Sequence, residues 1–374
     1  MKRIAVLLLV LGAFALTIPV QAQDQITYTS QPDQILIFLN NVAFVKDQIT
    51  IPTGTDVAVT LPAQIYPDTL VLRENGERVN TYRLRSDSGS LVVTWETSEG
   101  EDELREITLD YLVSGISWRP KYDMWLTDEN AGTVDLDFYA EVTNSGLTLE
   151  GVTTTLAAGR VDTAQPLDQY AAVTANQYIA GYEPPAGGEL GMGAVEIQTL
   201  YPAGEVDSTA GDTLYLSLAQ ETLPARRVLL WNAQTDNRVS VIYKVRNESS
   251  LTLAEGIVRT YEDGVFLGSD FVELTPVGSE GSVTVGTLQD VRVNRAQTQT
   301  NIGRLFDRIQ TNVELTVSSF SAEPVDIEIV DAYPATAENF SFSQEAERQI
   351  GNLLRWQVTI PPGETLTITY QYEQ

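Results

Sequence analysis

Between residues 134 and 142, apolar and polar side chains alternate without a break. Val134, Leu136, Phe138, Ala140 and Val142 take one parity, and Asp135, Asp137, Tyr139 and Glu141 take the other. An extended chain turns successive side chains to opposite faces. This stretch is therefore predicted to be a strand with one buried and one wet face, as in an antiparallel sheet. Most other readable segments repeat the pattern. Ile107, Leu109, Tyr111 and Val113 share a face, as do Val239, Val241, Tyr243 and Val245. Asn75-Gly76 and Asp263-Gly264 are turn pairs of the kind that close tight hairpins. Near the end, Leu354, Trp356, Val358 and Ile360 precede Pro361-Pro362-Gly363, and Leu366, Ile368, Tyr370 and Tyr372 follow. That pattern predicts a closing hairpin with Trp356 and Tyr370 paired across it. The fold class that follows is all-β, with antiparallel β-sandwich-type domains. No fixed short repeat is visible, which argues against a solenoid or propeller.

Residues 1–22 read as a signal peptide. Lys2 and Arg3 precede an apolar run over residues 4–16, and Val20-Gln21-Ala22 offers small residues for cleavage after Ala22. The apolar run is shorter than the roughly 20 residues a bilayer span needs. The mature chain, with no later run of that kind, is expected to have no membrane span and to be secreted or extracytoplasmic, in the periplasm or cell envelope. Residues 23–104 are expected to form a small N-terminal β module and residues 105–374 a larger β region. Gly115 marks a bend, and Pro120 has no N–H to give a ladder, so residues 118–122 are expected at a kinked corner between them. Trp118, Pro120, Tyr122 and Trp356 are read as structural hallmarks that pack the core. Residues 163–211 break the alternation with Pro184-Pro185, Gly187-Gly188, Gly191 and Gly193, and are expected to form a long irregular insertion. Its tyrosines, Tyr170, Tyr178, Tyr182 and Tyr201, are the candidate binding residues. Tyrosine gives contact area at little entropic cost and stacks on sugars or partner surfaces.

Several kinds of chemistry are missing from the composition. The chain has neither histidine nor cysteine, which removes Ser-His-Asp and Cys-His catalysis and the usual zinc sites. After the signal only Lys46, Lys121 and Lys244 could serve a Ser-Lys pair. Glycine-rich phosphate loops are absent. The net charge of −28 opposes binding to nucleic acid and anionic membranes. Carboxylates are the remaining acid–base groups. A glycosidase needs two of them at a set separation, and none of the many here stands out as such a pair. Asp128, Asp135 and Asp137 are candidate oxygen ligands for calcium, although their spacing is not that of an EF-hand.

Several blocks together carry a family resemblance. The first is Tyr111-Leu-Val-Ser-Gly-Ile-Ser-Trp118-Arg-Pro120-Lys-Tyr122, followed by Ala140-Glu-Val-Thr-Asn144 and Thr155-Leu-Ala-Ala-Gly159-Arg. Gly256-Ile-Val-Arg-Thr-Tyr261 and the 354–370 block continue the series. In order and spacing these resemble the C-terminal domain of the mucoidy-inhibitor-type family, over about residues 105–374. The resemblance implies a β-rich envelope or extracytoplasmic protein and supplies no catalytic residues. Many members carry a long coiled coil between their two domains, and this chain has no heptad pattern there.

The expected function is that of an exported, non-enzymatic envelope or extracellular protein, a structural module or one that binds a partner protein or a glycan. Two alternatives stand beside it: a carboxylate-based hydrolase of envelope polysaccharide, and a calcium-stabilised structural domain.

Overall fold

A computed structural model describes residues 25–87, 89–98, 103–127, 132–161, 199–303 and 308–374. The expected signal peptide and residues 163–198 of the expected insertion lie outside the described residues. The described chain is nearly all β and does not close into a barrel. It divides into two compact units. One holds the residues up to Asp33 together with Val45–Leu112, and the other holds Gln34–Phe44 with Val113–Gln374.

In the first unit, Ile26–Thr29, Asp56–Leu61, Ser90–Glu96 and Arg83–Asp87 form a four-stranded sheet in that order. Val57, Val59 and Leu61 point inward and are buried, as the alternation requires. Asn75-Gly76 closes a hairpin between Val71–Glu74 and Glu77–Arg78. Both residues hold positive φ, 48° and 83°, which only an asparagine-glycine type of pair adopts readily. Asp47 is fully buried in this unit. Its carboxylate accepts from Ser30 Oγ at 2.5 Å and from the Gln31 N–H at 3.0 Å, and Ser30 Oγ lies 2.7 Å from Tyr111 OH. Asp47 Oδ1 has no hydrogen-bond partner among the described residues.

The second unit stacks sheets face to face. Strand Ile116–Leu126 lies between Thr133–Asn144, antiparallel, and Gly256–Glu262, parallel. Against the inner side of this sheet lies a second one containing Gln34–Phe38, Leu149–Ala158 and Thr199–Ser208. The join is aromatic. Trp118 and Phe138 each meet Tyr201 edge-on, at 5.6 and 5.4 Å, and the Trp118 indole N–H donates to the Ala157 carbonyl at 2.9 Å. Strand Thr213–Asn232 continues into a second sandwich. Its first half pairs with Thr133–Asn144, and beyond Pro224 it pairs with Ser240–Arg246 and Val325–Ala332. Facing that part is a four-stranded sheet of Val291–Asn301, Ile309–Ser319, Thr365–Glu373 and Glu338–Phe342. Trp231, Leu315, Ile329, Trp356 and Tyr370 belong to the core of this second sandwich.

Two corners share one construction. Val142-Thr-Asn144-Ser-Gly-Leu147-Thr-Leu149 and Val245-Arg-Asn247-Glu-Ser-Ser-Leu251-Thr-Leu253 each follow a strand with a fully buried asparagine. Each amide donates to a leucine carbonyl just downstream, Leu147 or Leu251, at 2.9 Å. Each side-chain oxygen accepts an N–H of the turn. Such an asparagine satisfies main-chain groups that leave a ladder, so the chain can move to another sheet without orphaned donors.

Three expectations need correction. Residues 118–122 are not a corner. Pro120 sits inside an unbroken, internal strand, paired with Ala140, one place before the parallel ladder opens at Lys121 and Ile257. The last two strands are not a hairpin. Leu353–Ile360 pairs with Val325–Ala332, whereas Thr365–Glu373 pairs with Ile309–Ser319. The Pro361-Pro362-Gly363 turn arches between the two sheets. Finally, the expected irregular stretch 163–211 ends early, because Thr199–Ser208 is a regular strand.

Candidate functional site

The outer face of the Ile116–Leu126 sheet carries the most chemistry among the described residues. On an internal strand, the side chains of opposite parity to Trp118 and Tyr122 must face away from the core. From Ile116–Leu126 these include Lys121, Asp123 and Trp125; from Thr133–Asn144 they include Asp135, Asp137, Tyr139 and Glu141. Gly256–Glu262 contributes Ile257, Arg259 and Tyr261, since these pair with Lys121, Asp123 and Trp125.

Register fixes the geometry. Trp125 stands beside Tyr261 in the ladder, and their rings stack at 4.4 Å and 19°. Phe266, across the Asp263-Gly264 turn, meets Tyr261 edge-on at 5.6 Å. Asp123 lies directly opposite Asp137. Like charges so placed repel, and two groups relieve this. Arg259 forks onto Asp123 at 2.7 and 2.9 Å, and the Trp125 indole N–H donates to Asp137 at 3.3 Å. Arg259 also donates to the Tyr139 hydroxyl, and its guanidinium lies 5.9 Å from the Tyr139 ring centre. Tyr139 in turn approaches Tyr215 at 6.1 Å. Partial burial and then the Asp123 charge push the Tyr139 hydroxyl up to about 12, so it stays a neutral donor. The hydrogen bond to Asp123 holds the Arg259 guanidinium above its ordinary value, so it stays a cation. Lys121 and Glu141 lie 3.5 Å apart on the same face.

The flanks of this row are open. Tyr215 is 65% exposed, Phe271 55% and Phe266 54%. Phe266 and Phe271 lie on the strand at one flank and Tyr215 on the strand at the other, with the charged row between them. Rings interleaved with a fixed guanidinium, carboxylates and hydroxyls can stack on a ligand and hydrogen-bond to it at once. Asp123 is engaged by both donor arms of Arg259, an arrangement suited to holding Arg259 in place.

The residues singled out from sequence fall elsewhere. Tyr170, Tyr178 and Tyr182 lie outside the described residues, as does Asp128. Tyr201 is buried at the aromatic join, and its hydroxyl donates to the Thr252 carbonyl at 2.8 Å. It offers no surface to a ligand. Trp118, Tyr122 and Trp356 are core residues; the Tyr122 hydroxyl donates to the Ala254 carbonyl at 2.8 Å. Asp135 and Asp137 do lie on the outer face, but Asp135 accepts from Thr222 at 2.6 Å and Asp137 from Trp125. Among the described residues, no group of three or more carboxylates is gathered as a metal ion requires. Sequence reasoning passed over Trp125, Arg259 and Tyr261. One signal was present: Trp125 and Tyr139 have the parity of the wet face, where large aromatic rings are out of place unless they have a use.

Fold and surface together define a β-sandwich protein with an aromatic and ionic outer face on one sheet. The chain belongs to the DUF4139 family, a domain of unknown function, which matches residues 107–374. A comparison with curated proteins finds no match.

Proposed function

We propose that this is an exported, non-enzymatic binding module of the cell envelope, and that its outer aromatic face contacts a glycan. The observation that carries this is the row Trp125, Tyr261 and Phe266 beside the Arg259–Asp123 fork, on an exposed sheet face. Sugars present apolar C–H faces and a rim of hydroxyls. Rings answer the first, and fixed planar donors and acceptors answer the second. The leader-like residues 1–22 and the resemblance to the mucoidy-inhibitor-type family support a place outside the cytoplasm. The lack of histidine and cysteine, and the engagement of Asp123 by Arg259, support binding rather than hydrolysis.

The test is affinity electrophoresis of the full chain through gels that each contain one soluble polysaccharide, neutral or acidic. Retardation by at least one polymer is expected, and Trp125→Ala with Tyr261→Ala should abolish it while leaving the circular dichroism spectrum intact. Mobility unaffected by every polymer, or retardation that survives the double substitution, removes the glycan reading. Capture of an envelope protein that depends on Trp125 and Tyr261 would instead assign the face to a protein partner.

A further inference from the structure

A second feature lies in the other sandwich. Strand Thr213–Asn232 pairs with Val325–Ala332 at only three positions, Leu230–Asn232 against Glu328–Val330, and the two run parallel. Upstream of Leu230 they part. There the first strand pairs only outward, with Ser240–Arg246, and the second only outward, with Leu353–Ile360. The facing edges border a cleft of about 750 Å3.

Backbone direction alternates along a strand. The Ala233 N–H donates to Val330 O across the ladder at 2.8 Å. Counting back in steps of two, the main-chain groups of Leu229 and of Asp326 face into the cleft. Among the described residues, no ladder joins these two edges upstream of Leu230 and Glu328. The lining of the cleft is mostly polar: Val325, Ile327 and Val358 are buried in the sandwich core, and Leu229 and Leu288 are half-buried against that core. The rim on the Val325 side is acidic, with Asp290, Glu323 and Asp326. Among the described residues neither Asp290 nor Glu323 has an ion-pair partner, whereas Arg226 on the opposite wall is engaged by Glu280 at 3.3 Å.

We infer that this cleft is a strand-addition site for an extended peptide segment of a partner protein, basic at the positions facing the rim and uncharged at those between. Main-chain edges recognise an extended chain, and the carboxylates select positive charge. The acidity of this chain, −28 overall, argues against a second copy as the occupant. The site shares no residue with the aromatic face, so it stands or falls separately from the glycan reading.

The experiment measures fluorescence anisotropy of three labelled peptides with the full-length protein. The first alternates valine and lysine, the second has the same composition in scrambled order, and the third is the first with alternate backbone nitrogens methylated. Saturable binding of the first peptide is expected, weakened about tenfold or more by scrambling, by methylation, or by the pair Glu323→Lys and Asp326→Lys. Asp290→Lys, at a half-buried position outside both strands, should weaken it in the same direction. Trp125→Ala with Tyr261→Ala should leave it unchanged. The inference is overturned by equal binding of all three peptides, by no saturable binding of the first, or by binding indifferent to both sets of charge reversals.

Discussion

The rings of Trp356 and Tyr370 lie 5.7 Å apart at 37°, one on each of two facing sheets. They meet across the core of the second sandwich, not along a ladder. The Tyr370 hydroxyl continues inward and donates to Asp331 at 2.7 Å, and Arg295 donates to the same carboxylate oxygen at 2.8 Å. Asp331 is fully buried. The two sheets are therefore joined by an aromatic contact and a charged knot side by side.

Removing one partner of that knot leaves a buried charge uncompensated. Arg295→Ala is expected to cost about 3–5 kcal/mol. Tyr370→Phe keeps the ion pair and loses one hydrogen bond to a charged group, at about 1–3 kcal/mol. Urea melts of the two variants should rank them in that order. Equal losses would mean that Arg295 does not neutralise Asp331.

Asp47 gives the first unit a pH dependence of defined sign. Burial, partly opposed by the Ser30 hydrogen bond and reinforced by Asp33, raises its carboxyl to about 6 in the folded chain. The unfolded value is lower, about 3.9, so between the two the native state binds the extra proton. Stability from this group is present below the unfolded value and lost as pH rises through about 6. The difference in melting temperature between the parent and Asp47→Asn should therefore change between pH 5 and 7, with the parent losing ground as pH rises. A constant difference over that interval would refute the assignment. Tyr28 and Tyr111, the phenols beside it, are both raised from an already alkaline value and stay neutral throughout this range.

Gly256 marks where the parallel ladder opens. A Cβ there would stand 2.6 Å from the Pro120 carbonyl oxygen and 2.9 Å from its Cβ. Backbone must shift to admit it, so Gly256→Ala should cost about 1–3 kcal/mol. Gly286→Ala is the matched control. It meets nothing within 4 Å and should change stability by no more than about 0.5 kcal/mol. Thermal melts of the pair separate the close approach from a general effect of glycine in strands.

The twin asparagine corners predict twin phenotypes. Asn144→Asp and Asn247→Asp each replace a donating amide with an oxygen aimed at carbonyls, those of Leu147, and of Leu251 and Thr275. Each site is buried, so each change is expected to cost about 2–5 kcal/mol. A urea series in which one is severe and the other silent would show that the two corners are not equivalent in their energetics.

Much of the local structure was legible in the residues. Asn75-Gly76 and Asp263-Gly264 form hairpins because the turn chemistry is contained within the pair. The parity of residues 134–142 assigns Phe138 to the core and Tyr139 to the outer face. Where the reading failed, the missing information was not local. Pro120 suggested an edge, yet an internal strand accepts it because the parallel ladder starts one residue later. Tyr201 looked like part of a contact loop because a few residues of strand after a glycine-rich stretch give little alternation to count. The Trp125, Arg259 and Tyr261 cluster was split between two distant segments, with 136 positions separating Arg259 from Asp123.

By itself the sequence determined that the chain is all-β, which side of each strand turns inward, and where the tight hairpins close. These depend on side-chain parity and on the φ preferences of one or two residues. Only the tertiary structure decided which strands are neighbours: that the final two arch between sheets, that Gln34–Phe38 joins Leu149–Ala158, and that Arg259 reaches Asp123. Main-chain edges hydrogen-bond alike whatever side chains they carry, so an amphipathic strand specifies its buried face but not its partner. The partner is chosen by how the buried faces fill the space between sheets, and the outer face is assembled as a consequence.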